Sequence, residues 1–135
     1  MANYGMSIKL NGNLEEVKPK VLEALKAQGF GVLTEIDVQK TLKQKIGVDL
    51  MPYQILGACN PHYAYQALSA DKSIGLLLPC NIVLEQESDG VIVNIQDPEV
   101  MFSVLDEETK TSLAWFPQEV KRSLQLVLDA LKNAD

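Results

Sequence analysis

The sequence predicts an α+β fold in which helices pack on one face of an antiparallel sheet. Three observations lead there. Short strand-like runs alternate with amphipathic helical stretches through the first half of the chain. A tight turn, Ser88-Asp89-Gly90, joins two strands in the second half. The chain then closes on a long helix with one apolar stripe, Val120, Leu124, Val127, Leu128 and Leu131. Antiparallel hairpins with segregated helices suit a sheet whose single apolar face is covered by helices. A length of 135 residues fits one domain over 1–135.

The elements follow in order. Met6-Ser7-Ile8-Lys9-Leu10 alternates apolar and polar residues, as a half-buried strand does. Asn13 is placed to cap a helix whose first turn holds Glu15 and Glu16, favoured there by the helix dipole. Leu14, Val17, Val21 and Leu25 share one helical face, and Gly29 ends the helix. Pro19 lies beyond the first turn, which predicts a kink or a loosened start. Phe30–Ile36 reads as a second strand. Asp37 caps a short helix, closed by Gly47, with Val38, Leu42 and Ile46 expected to face inward and Lys40, Lys43 and Lys45 outward.

Pro52–Cys59 reads as a third strand. Asn60 caps the next helix with Pro61 at its first position, where a missing N–H costs nothing, and Ala64, Ala67 and Leu68 give it an apolar side. Asp71-Lys72-Ser73 is a turn. Ile74–Leu78 is a continuous apolar run, interrupted by Pro79, with strand character continuing over Asn81–Glu87. Val91–Gln96 is the return strand, ended by Asp97-Pro98. Val100, Met101, Val104 and Leu105 suggest one or two helical turns before the final helix, Pro117 to about Lys132.

Composition excludes several function classes. The chain is 47% hydrophobic and 22% charged, ordinary for a globular protein. A net charge of −6 argues against a nucleic-acid partner, which needs a basic face, and against docking on anionic membranes. No apolar run reaches bilayer length, and the first residues have no signal-peptide pattern. Two cysteines without an export signal point to free thiols in a reducing cytoplasm.

Chemistry concentrates in one central place. Gly57-Ala58-Cys59-Asn60-Pro61-His62 is answered by Leu78-Pro79-Cys80-Asn81, bringing together both cysteines and the only histidine. Cys59, Asn60, His62, Cys80 and Asn81 are the candidate ligand or thiol site. Three readings compete with a purely structural one. A helix start after Cys59 favours a thiolate, with Cys80 as its resolving partner. Cys59, His62 and Cys80 are enough in number for a metal with an open position, although the spacing is weak evidence. The helix start at Asn60 offers N–H groups to an anion unless Asn60 itself satisfies them. Tyr53, Tyr63 and Tyr65 surround the same segment and are expected to pack with polar tips. No nucleotide-binding loop and no hydrolase elbow is present.

At these residues the chain resembles the DUF302 family. The resemblance rests on Tyr53–Pro61, on Ala64, Ala67 and Leu68, and on Ile74–Asn81. Gly29–Asp37, Asp89-Gly90 and Asp97-Pro98 fit the same pattern. The resemblance implies a curved antiparallel sheet gripping helices, akin to TATA-binding-protein-like folds, in bacterial or archaeal proteins that form homodimers. It implies no settled activity and no cofactor. The resulting expectation is a ligand- or partner-binding homodimer with a pocket between sheet and helices. A thiol-dependent redox protein using Cys59 and Cys80, and a metal-binding protein using Cys59, His62 and Cys80, are the alternatives.

Overall fold

The computed structural model describes residues 2–135. Its strands are β1 (Gly5–Leu10), β2 (Gly31–Asp37), β3 (Tyr53–Cys59), β4 (Cys80–Glu87) and β5 (Gly90–Gln96). They form one antiparallel sheet in the order β1-β5-β4-β3-β2. The helices are α1 (Leu14–Ala27), α2 (Val38–Ile46), α3 (Pro61–Ala70), α4 (Pro98–Met101), α5 (Glu107–Ser112) and α6 (Phe116–Ala134). Two 3-10 segments, Lys72–Leu77 and Phe102–Val104, complete the chain.

The alternation of side chains sets the sheet register. Met6, Ile8 and Leu10 of β1 lie opposite Ile95, Val93 and Val91 of β5, apolar against apolar. Slipping β1 by one residue would turn all three to the other face. The same face continues through Ile82 and Leu84 of β4 and Leu56 and Ala58 of β3, all buried. Helices α1 and α6 cover it with Leu14, Val17, Val21 and Leu25 and with the predicted stripe from Val120 to Leu131, in one contiguous core. Each large side chain so buried contributes about 1.5–3 kcal/mol. Gln86 ties the layers together: its Oε1 accepts the Leu14 N–H at the start of α1 at 2.8 Å.

Local punctuation places the elements. Asn13 accepts from the Glu16 N–H and Asp37 from the Lys40 N–H, each at 2.9 Å. Gly47 ends α2 in the left-handed conformation with φ 70°, where a side chain would strain the backbone. Ser88-Asp89 forms the two-residue turn between the paired Glu87 and Gly90.

Two expectations change and two are refined. Pro19 sits inside α1, whose start is not loosened but capped by Asn13, and the helix runs from Leu14 to Ala27; Pro19 is on the exposed side, where water can satisfy the carbonyl it leaves free. The Ile74–Leu78 run is not strand. Asp71 caps a 3-10 segment by accepting the Ser73 N–H at 2.9 Å, and β4 starts only after Pro79, which has no N–H to pair. The one or two helical turns expected around Val100–Leu105 are present as α4 and the 3-10 turn, with α5 following them. Most tellingly, the apolar side of α2 is not buried: none of its residues is, and Ile46 is 68% exposed.

Candidate functional site

The two cysteines stand where strands β3 and β4 meet the helices. Cys59 ends β3, Cys80 begins β4, and Ala58 lies directly opposite Cys80. Gly57 makes this junction possible. A Cβ on it would collide with Thr34 Oγ1 and sit 2.7 Å from Pro79 Cγ, so its bareness lets Pro79 close over the strand.

Asn60 then turns the chain into α3. Its Oδ1 accepts the N–H groups of His62 and Tyr63 at 3.1 and 3.4 Å, and its Nδ2 donates to the Gln28 carbonyl at 3.5 Å. The helix start is thus occupied by its own cap, which removes the basis for an anion site there. Tyr63 packs its ring against Phe30 and Phe116, with centroids 6.2 and 5.7 Å away, and Phe116 stacks on Phe102 at 5.5 Å. The Tyr63 hydroxyl lies 2.9 Å from Ser123 Oγ on α6.

These elements enclose a small hollow of about 30 Å³. Cys59, Asn60, Cys80, Tyr63 and Gln96 bring the heteroatoms to its wall, which is otherwise apolar. That space suits one or two water-sized groups, since a water needs roughly 10–15 Å³ by this measure. Cys59 and Phe30 also line an open outer groove of about 460 Å³, together with Lys26, Gly31, Leu33 and Pro61. Cys59 and Phe30 are therefore shared by groove and hollow.

Burial pushes the Cys80 thiol up to about 11; a hydrogen bond with Gln96 works against the rise and the nearby Cys59 adds to it. Cys80 is protonated at neutral pH and behaves as a soft apolar wall group, not as a ready nucleophile. Both cysteines are unpaired.

Of the five candidate residues, Cys59, Asn60 and Cys80 converge on the hollow. His62 and Asn81 are exposed and outside its lining. Cys59, His62 and Cys80 do not assemble as a ligand set: no group of three metal-ligating side chains is close enough among the described residues. Of the three tyrosines, only Tyr63 reaches the hollow, and Tyr65 is exposed. Sequence reasoning missed Phe30, Gln96, Phe102 and Phe116. Gln96, a polar residue at a strand end, was a weak signal; the aromatics looked like any other core residues.

The family described as "Domain of unknown function DUF302" matches residues 6–131. The chain belongs to the DUF302 family. A solved structure similar to it is the crystal structure of an uncharacterized conserved DUF302 protein from Bacillus stearothermophilus, 27% identical, with a TM-score of 0.84. The likeness covers 96% of this chain and 99% of the other. It extends to the whole α+β arrangement of this DUF302 chain, the five-stranded antiparallel sheet and its packed helices. No match was found among curated proteins. Among the described residues no helix is long and apolar enough to cross a membrane.

Proposed function

We propose that this DUF302 protein is a homodimeric binding domain that takes a small apolar group of its ligand into the hollow between Cys59 and Cys80. The observation carrying this is convergence. The two segments of the sequence signature, Gly57–His62 and Leu78–Asn81, are separated by a helix and a 3-10 turn, yet both contribute walls to one apolar hollow. Core packing alone favours filling such a space. Ligand sites usually span roughly 300–1,000 Å³. The hollow alone is too small for that, whereas the outer groove of about 460 Å³ is not. The ligand therefore lies in the groove and inserts one apolar group past Cys59 and Phe30. The acidic balance of the chain keeps nucleic acid out of this reading, and the two unpaired thiols suit a reducing cytoplasm.

Xenon, a monatomic apolar probe, tests the site. In amide NMR spectra under xenon pressure, shifts should concentrate at Cys59, Tyr63, Cys80 and Gln96. Ala64→Leu, which fills the hollow from α3, should remove them while the thermal midpoint stays within a few degrees. Shifts scattered over the molecule, or unchanged in Ala64→Leu, would overturn the proposal.

A further inference from the structure

The segment from β2 through α2 to Met51 is built like a surface waiting for a cover. Leu33, Ile36, Ile46, Val48, Leu50 and Met51 are all exposed, Leu33 at 69% and Ile36 at 48%. They are six of the fourteen exposed large hydrophobics among the described residues, gathered in one short stretch. Strand β2 is an edge strand, paired only with β3, and six of its seven residues are exposed. Helix α2 buries none of its residues although it was patterned to face inward. The apolar character continues across the uncovered face of the sheet, where Ile36, Ile55 and Val83 are in register on neighbouring strands. Large apolar side chains exposed together along one segment mark interaction surfaces, and a bare edge strand invites pairing.

We infer that this arm, residues 31–51, is the surface on which a second copy of this chain docks. Two quantities favour that occupant. A compact monomer of 14.9 kDa should expose roughly 7,000 Å², whereas this chain exposes 7982 Å². The excess of about 1,000 Å² is close to the roughly 800 Å² that each partner buries in a standard interface. Charge agrees. Within residues 31–51 Lys40, Lys43 and Lys45 are balanced by Glu35, Asp37 and Asp49, so the arm is neutral while the whole chain carries −6. A neutral surface on an acidic chain lets two copies meet without like-charge repulsion. Leu33 belongs to the arm and to the groove beside Cys59, so the second copy also borders the ligand groove.

The inference rests on the self-association part of the proposed function, and sedimentation equilibrium separates the two. The wild type should sediment at twice 14.9 kDa. Ile36→Asp and Leu50→Asp, both at exposed positions, should weaken the dimer by roughly 30-fold or more, as loss of a central apolar anchor does, with unchanged circular dichroism. Leu76→Asp, at an 89% exposed position outside the arm, should leave the dimer intact. A wild type that stays at 14.9 kDa at 100 µM overturns self-association and the arm together. A dimer that survives both arm substitutions, or that Leu76→Asp dissociates, overturns the arm alone.

Discussion

The Tyr63 hydroxyl and the Ser123 hydroxyl, 2.9 Å apart, join α3 to α6 across the wall of the hollow. Ser123 is buried and pairs with no other side chain among the described residues. Tyr63→Phe keeps the ring packing but removes that partner, and with it the longer 3.4 Å bond the hydroxyl donates to Glu119 Oε1, so it should cost about 1 kcal/mol. Tyr63→Ala also removes the ring between Phe30 and Phe116 and should cost roughly 2–4 kcal/mol. Urea denaturation of the two variants measures both, and the gap between them isolates the aromatic packing from the hydroxyl pair.

Gly57 should tolerate no side chain. Gly57→Ala places a methyl against Thr34 Oγ1 and 2.7 Å from Pro79 Cγ. Overpacking of this kind costs roughly 1–3 kcal/mol. Because Thr34 supplies one of the two clashes, Thr34→Ala should recover part of the loss in the double variant. A thermal-denaturation cycle over the four proteins should therefore show non-additive costs.

Cys80 should make the protein lose stability in alkali. Its thiol ionises at about 11 when folded against 9.0 ordinarily. Between those values the unfolded chain releases a proton that the folded one retains, so the unfolded state gains as pH rises. Stability from this group is full below pH 9 and falls between pH 9 and 11, by roughly 2–3 kcal/mol in total. Cys80→Ala should flatten that part of the stability curve relative to wild type. Iodoacetamide alkylation, followed by mass spectrometry, should leave Cys80 unmodified at pH 8.

Much of the fold was legible because local chemistry marks it. Asn13, Asp37 and Asn60 cap helices as their side chains allow, and Gly29 and Gly47 follow helix ends with positive φ of 82° and 70°. The stripe of α6 is buried as its spacing predicts. The Ile74–Leu78 run was harder to read, because a short apolar run does not reveal whether it pairs or winds. Spacing also failed for α2: Val38, Leu42 and Ile46 mark a face, but a pattern cannot say whether this chain or another covers it.

The candidate site divides in the same way. Cys59 and Asn60 are neighbours in sequence, and the cap at Asn60 was readable from Asn60-Pro61 alone. That Cys80 joins them, while His62 turns outward one residue beyond Pro61, depends on strand pairing and helix phase. Gln96, Phe102 and Phe116 reach the hollow from distant elements. The sequence by itself determined element types, their ends and the apolar faces, because capping, turn chemistry and periodicity act over a few residues. Only the tertiary structure decided that Cys80 joins Cys59 at one hollow, which ring closes it and which apolar face stays bare, because burial and long-range contact exist only once the layers have packed.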